Sequence, residues 1–283
     1  MRIASIDDRA TLIIENGQEL QGVDIEKWSN GKFPSNTREL LPHLDELRIW
    51  VKDHDFDADS VPVSWESLES PITEPRQIFA IGMNYQAHAE EVSIAAPEVP
   101  AVFTKFATSL SGARKAIKLP SDSVDWEIEL VAIIGRGGRN ISKADALDYI
   151  AGYAVGQDLS DRDLQFAASS SPQFSLGKSY AGFAPVGPWM TTSDEVADPG
   201  QLKMRCTVGE EVLQDGSTAN LIFDIPTLVE HLSSVVELTP GDLIFTGTPD
   251  GVGFGRNPKR YLRTGEELVS TIEGLGEIKQ LFS

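Results

Sequence analysis

The chain has 283 residues, 41% of them hydrophobic and 24% charged, with a formal net charge of −19 from 43 acidic and 24 basic side chains. That balance excludes the basic stripe that nucleic-acid phosphates need, and it disfavours an anionic membrane surface. Cys206 is the only cysteine, so an intrachain disulfide and a Cys-rich zinc site are excluded, and a small core residue is its expected role. No apolar run approaches the length of a membrane span and no signal-peptide-like segment opens the chain; the expected location is the cytoplasm.

Residues 1–70 read as a small N-terminal domain of strand and helix. Sixteen acidic and seven basic side chains lie in residues 1–75, so much of the negative excess is there. Arg2–Ile6 and Thr11–Ile14 predict a hairpin across Asp7-Asp8-Arg9. Asn36–Leu47 predicts a helix with Leu40, Leu44 and Leu47 on one face. The acidic run Asp53–Asp59 predicts a solvated loop or linker, and Pro62, Pro71 and Pro75 punctuate the passage to the main domain, residues 76–283.

In that domain Gln77–Gly82 predicts a buried strand, and Asn84 is placed to cap a helix over Tyr85–Val92. Phe103–Lys105 is strand-like. The stretch Asp125-Trp-Glu-Ile-Glu-Leu-Val-Ala-Ile-Ile-Gly135 predicts one strand with Asp125, Glu127 and Glu129 on a common face. Ser142–Asp145 is a helix start resembling a capping box. Ala151–Gly156 is a strand with Asp158 at its end, and Lys203–Val208 a half-exposed one. Ile225–Leu232 is helical, and Pro240–Phe245 is a turn into a buried strand. Short strands with Gly and Pro between them and few long helices predict an α+β, largely β body.

Glu127 and Glu129 lie roughly 6.5 Å apart at Cα on a strand, close enough to converge on a hard cation such as Mg²⁺, Mn²⁺ or Ca²⁺. The same pattern also fits a solvated sheet face. Asp158 would be a third carboxylate if its strand lay alongside. His88 and Glu91 share a helix face at i and i+3, the spacing of a base and its orienter or of an incidental surface contact. Lys178, after Gly177 and before Ser179, has the setting to reach a buried anion. Thr246–Gly255 is Gly-rich, but Asn257 and Pro258 follow instead of a helix, so a phosphate loop is rejected. Its backbone N–H groups and the Thr248 hydroxyl are expected to line a substrate carboxylate or developing oxyanion.

Taken in order, Gly82-Met-Asn-Tyr-Gln-Ala-His-Ala-Glu-Glu91, Phe103-Thr-Lys105, Asp125-Trp-Glu-Ile-Glu-Leu130, Gly156-Gln-Asp-Leu-Ser-Asp-Arg-Asp-Leu-Gln165, Leu176-Gly-Lys-Ser-Tyr180, Pro240-Gly-Asp242 and Thr246-Gly-Thr-Pro249 resemble the fumarylacetoacetate hydrolase family over about residues 76–280. The resemblance implies a mixed β-roll main domain behind a small N-terminal α/β domain, usually in a homodimer. It implies Glu127, Glu129 and Asp158 as ligands of Mg²⁺ or Mn²⁺, and His88 and Glu91 as the catalytic dyad. Lys178 and Gln165 would complete the catalytic set, with Thr248, Lys105 and Arg162 around a small anionic 2-oxo acid. Ala181 and Asp161 depart from the family pattern and bear on pocket shape; Asp125 matches no ligand.

The implied activity is hydrolysis of a C–C bond in a 1,3-dicarbonyl 2-oxo acid such as an acylpyruvate, with water activated by the dyad. The same metal-enolate chemistry serves an oxaloacetate-type decarboxylase, or an isomerase or hydratase of an oxo-enoic acid. A non-catalytic metal-binding member is the remaining alternative.

Overall fold

The computed structural model describes residues 1–283 apart from 17–18, 55–58, 92–94, 96 and 169. Strands β1 (Arg2–Ile6), β2 (Arg9–Asn16) and β3 (Glu19–Asp24) form a meander, followed by α1 (Ile25–Trp28), α2 (Thr37–Leu40), α3 (Leu44–Asp53) and β4 (Val61–Val63). Then come β5 (Ile78–Gly82), α4 (Gln86–Glu91), β6 (Ala101–Thr104), β7 (Leu110–Ser111), β8 (Arg114–Ile117), β9 (Val124–Asp125) and β10 (Ile128–Ile134). The order continues with β11 (Ile150–Gln157), β12 (Ser160–Asp161), α5 (Arg162–Gln165), α6 (Phe174–Gly177) and β13 (Ala184–Thr192). Last are β14 (Lys203–Val208), β15 (Glu211–Ser217), α7 (Ile225–Val235), β16 (Leu243–Phe245), β17 (Glu267–Ile272) and β18 (Gly276–Phe282).

The body is largely β and mixed in direction. One large sheet runs β4-β3-β2-β1-β13-β11-β10-β16-β5-β6, with β7 parallel beside β13; a second runs β15-β14-β17-β18-β8. The N-terminal strands continue the large sheet, because β1 pairs antiparallel with β13. The predicted hairpin turns on Asp7 and Asp8 at φ 52° and 58°, the left-handed pair that suits strand twist in a two-residue loop.

Strand β10 is buried on both faces, which is why its sequence is nearly continuous in apolar residues. Ile128, Leu130, Ala132 and Ile134 enter one core with Met204, Cys206, Leu268 and Ile278 of the second sheet. Val131 and Ile133 enter another with Phe245, Leu40, Leu44 and Leu47. The leucine face predicted over Asn36–Leu47 is therefore real, but the helix is not continuous. Asn36 caps α2 through its side chain on the Arg38 N–H, and Pro42 sits in a single 3₁₀ turn between α2 and α3. A proline there removes an N–H from the α-helical ladder.

Two further expectations give way. Asn84 does not cap the helix after it; its amide donates to the Phe223 and Thr246 carbonyls and accepts from Phe223 N–H. Ser142–Asp145 leads into a 3₁₀ turn at Ala146–Tyr149 rather than an α-helix, with Ser142 bonded to Asp145 itself. Asp55–Asp57 of the acidic run, and Val92 at the end of the expected helix, lie outside the described residues. Among the described residues no helix is long and apolar enough to cross a membrane.

Cys206 is fully buried, and burial pushes its thiol up to about 12. At pH 8 the folded protein is expected to show no reaction with an aromatic disulfide reagent over minutes, and one thiol after denaturation in guanidinium. Prompt reaction of the folded protein would contradict this packing.

Candidate active site

Strand register assembles the acidic centre. In the antiparallel β10–β11 pair Ile128 lies opposite Gln157 and Glu129 opposite Gly156, and one step further the Asp158 N–H donates to the Glu127 carbonyl at 2.9 Å. Glu127, Glu129 and Asp158 thereby present carboxylate oxygens within 4.8 Å of one another, all three buried. The solvated-face alternative is excluded by that burial.

The acidic stretch is two strands rather than one, broken at Trp126-Glu127 between β9 and β10. Glutamine side chains bond the backbone at the break: Gln157 accepts from the Glu127 N–H and Gln214 from the Ile128 N–H, each at 2.9 Å. The break interrupts the strand at Glu127 while its backbone donor stays satisfied by Gln157, and Glu127 and Glu129 still face the same cavity.

Three cations are buried against these acids. Lys178 Nζ lies 2.7 Å from both Glu127 Oε2 and Asp158 Oδ2. Lys105 Nζ donates to Asp158 Oδ1 at 2.5 Å and to the Lys178 carbonyl. Arg162 Nη2 sits 2.6 Å from Glu127 Oε1 and 2.8 Å from Asp125 Oδ2, and Nη1 donates to Gln165 at 2.8 Å. Glu129 differs: among the described residues its Oε2 accepts the Gly247 N–H alone, at 2.7 Å.

The titration behaviour follows. Burial alone would raise Glu127, but Lys178 and Arg162 outweigh it and hold the carboxyl down at about 2. Burial, then Asp158 and Glu127, push Glu129 well above the usual carboxylate range. Burial lowers Lys105 despite Asp158, whereas Asp158 and Glu127 overcome burial and raise Lys178. A buried carboxyl that repels its neighbours calls for a cation, and an all-oxygen donor set fits Mg²⁺ or Mn²⁺.

His88 and Glu91 both stand on α4, with His88 Nδ1 3.2 Å from Glu91 Oε2. A carboxylate only accepts, so Nδ1 carries the hydrogen. His88 Nε2 has no protein hydrogen bond among the described residues. Glu91 Oε1 accepts from the Gly251 N–H at 3.0 Å.

A cavity of about 40 Å³ is lined by His88, Glu127, Glu129, Arg162, Gln165, Lys178 and Thr248, and walled by Ile81, Met83, Phe103, Phe166, Phe174 and Phe254. Phe166 stacks on Phe254 with centroids 5.1 Å apart, and Phe103 lies 5.8 Å from Phe174. Thr248 Oγ1 accepts from Gln214 Nε2 at 2.7 Å, which leaves its own proton available to the cavity. Lys105 is placed beneath the carboxylates and not in the cavity lining. Asp161 caps α5 through the Leu164 N–H, and Ala181 is exposed; neither lines the cavity.

The Gly-rich turn works differently from expectation. Its N–H groups at Gly247, Gly251, Gly253 and Phe254 donate to Glu129, Glu91 and Asp125, the protein's own carboxylates. Gly251 is left-handed at φ +102°. Sequence reasoning missed Asp125, Gln157 and Gln214. Asp125 shares its motif with Glu127 and Glu129, and that proximity was the one signal available.

Fold and site together define a largely β protein with a buried three-carboxylate centre beside a His–Glu pair. Residues 77–282 match the family model described as fumarylacetoacetate (FAA) hydrolase C-terminal, and the chain belongs to this family. The chain is 41% identical to the mitochondrial oxaloacetate tautomerase FAHD2A of Homo sapiens over 220 residues, 77% of this chain and 70% of that one. A Mycobacterium smegmatis crystal structure assigned as HpcE superposes with a TM-score of 0.90 at 45% identity, covering 100% of this chain and 99% of that one. Maleylpyruvate hydrolase from Sphingobium sp. SYK-6, in complex with manganese(II) and pyruvate, superposes with a TM-score of 0.79 at 30% identity, covering 100% of both chains.

Glu129→Gln keeps the shape of the third acid and removes its charge. It is expected to weaken Mn²⁺ binding by more than about 100-fold, beyond the 10–100-fold typical of outer-shell partners. Isothermal calorimetry measures this; unchanged affinity would remove Glu129 from the ligand set.

Proposed function

We propose that the chain is a Mg²⁺- or Mn²⁺-dependent enzyme that moves a proton at the carbon beside the keto group of a small 2-oxo acid, with oxaloacetate the leading substrate. The observation that carries this reading is that His88, held by Glu91, lines one small cavity together with Glu127 and Glu129 of the carboxylate centre. Glu127, Glu129 and Asp158 would hold the ion, which supplies Lewis-acid polarisation of the 2-oxo acid's carbonyl.

Charge favours an anionic ligand. Asp125, Glu127, Glu129 and Asp158 are four buried carboxylates facing three buried cations, Lys105, Lys178 and Arg162. A divalent ion turns that deficit of one into an excess of one. An acid whose carboxylate enters the centre restores neutrality.

Glu91 keeps hydrogen on His88 Nδ1, so Nε2 is the free base. It takes the C3 proton of the keto form and returns it to the keto oxygen, giving the enol; the reverse path regenerates the ketone. Gln165 and Thr248 present an amide and a hydroxyl to the same cavity. The relatedness to a named oxaloacetate tautomerase supports that substrate.

C–C hydrolysis of an acylpyruvate is the second reading, favoured by the wall of four phenylalanines, which suits an apolar acyl tail. In it His88 takes the proton from water, hydroxide adds to the distal carbonyl, and the C–C bond then breaks to release a carboxylic acid and the enolate of pyruvate, which takes the proton back from His88. We place the catalytic unit in a homodimer, which sedimentation velocity tests.

Decay of enol-oxaloacetate absorbance with Mn²⁺ is expected to accelerate in the presence of the protein. His88→Ala should lose roughly 10²–10⁴-fold of that rate, the usual share of a general base, with Mn²⁺ affinity retained. Absence of tautomerisation together with cleavage of acylpyruvates into two acids would decide for the second reading, and release of CO₂ as the main product for decarboxylation.

A further inference from the structure

Asp125 is fully buried and stands outside the carboxylate triad. Its Oδ1 accepts from Trp126 N–H at 2.9 Å and Gly253 N–H at 2.7 Å. Its Oδ2 accepts from Phe254 N–H and from Arg162 Nε, both at 2.9 Å. Four donors on one carboxylate satisfy it almost completely, so its charge stays in place without water.

Those donors belong to two separate devices. Gly253 and Phe254 lie in the turn whose Gly251 N–H holds Glu91 Oε1. Gly255 of the same turn presses on Glu91 so closely that a Cβ there would come within 2.4 Å of Glu91 Cγ. Arg162, on the other side, holds Glu127 Oε1. One carboxylate thus ties the seat of Glu91 to the seat of a metal-binding acid, across segments far apart in sequence.

We infer that Asp125 is a positioning residue for the reaction: it anchors the 251–255 turn to Arg162, and through that turn it sets Glu91, and hence His88, relative to Glu127. Asp125 itself touches neither the cavity nor the dyad. The inference rests on the reading of His88 and Glu91 as the base and its orienter.

Asp125→Asn tests it. Whichever way the amide lies, its NH₂ meets N–H donors, so one end of the anchor is lost at constant size. A displacement near 1 Å in a reacting group is worth about 10²-fold, so kcat is expected to fall about 10–100-fold. KM and Mn²⁺ affinity should stay within about threefold. In the metal-free protein, ¹⁵N correlation spectra should show the neutral His88 ring moving its hydrogen from Nδ1 to Nε2. Combined with Glu91→Gln, the Asn substitution should add nothing further, the signature of two residues acting through one group.

Gly255→Ala provides an independent route. Its methyl displaces Glu91 from the loop side without touching Arg162, and the same kcat loss and tautomer change are expected. It also carries the test alone if Asp125→Asn does not fold. Additive losses with Glu91→Gln, an unchanged His88 tautomer in both variants, or loss of Mn²⁺ affinity by tenfold or more in place of kcat would each overturn the inference. Should Glu91→Gln itself retain full turnover, the dyad reading fails instead, and the tautomer spectra still report whether Asp125 holds Glu91.

Discussion

The constraint on which the site depends is a buried charge balance. Four carboxylates and three cations lie together with almost no exposure, and each must find its partners inside the protein. Removing one partner of such a pair costs roughly 3–5 kcal/mol, because the other is left charged and alone. Nearly every oxygen here has a named donor: Lys178 bridges Glu127 and Asp158, Lys105 takes the other oxygen of Asp158, and Arg162 spans Asp125 and Glu127. Among the described residues Glu129 is the one acid of the four without an ion pair, and it is the acid that burial and its neighbours push up. The cluster is complete as a structure and one cation short as an electrostatic object.

The rest of the architecture serves that cluster. The β10–β11 register places Asp158 beside Glu127, and β16, parallel to β5 and antiparallel to β10, delivers the turn from Thr246 onward to the strand ends. That turn spends its backbone donors on acids, each a charge-assisted bond of the stronger kind. Burial of β10 on both faces keeps the frame rigid. The dyad, by contrast, stands on a six-residue helix that depends on Gly251 and Gly255 for its seat. The carboxylate cluster therefore belongs to the sheet, and the His88–Glu91 pair to a short helix seated on a loop. Asp125 is where the two are joined.

Much of this was legible in the residues. The Asp7-Asp8 hairpin, the leucine face at Leu40, Leu44 and Leu47, the buried strand ending at Asp158 and the β-rich body all follow from local pattern. The ordered motifs identified the family. What could not be read were relations between distant segments. Lys105 looks like any strand-end lysine until Asp158 and Lys178 are seen packed around it. The break at Trp126-Glu127 is invisible because Gln157 and Gln214, 30 and 86 residues away from their partners, supply the acceptors. The Gly-rich turn was read as open to substrate, since nothing local tells which anion its N–H groups will face. Asp125 was set aside for matching no ligand, although its four donors come from four separate residues.

The central claim is that the three carboxylates hold a divalent ion which takes a 2-oxo acid directly, beside a histidine that is a base and not a ligand. Pulsed electron paramagnetic resonance of the Mn²⁺-loaded protein with ¹³C-labelled oxalate, a planar two-oxygen chelator shaped like an enolised 2-oxo acid, tests it most directly. The account predicts ¹³C coupling to the manganese when oxalate is present, and no directly coordinated nitrogen. A strong ¹⁴N coupling from a bound imidazole, or no ¹³C coupling at saturating oxalate, would contradict it.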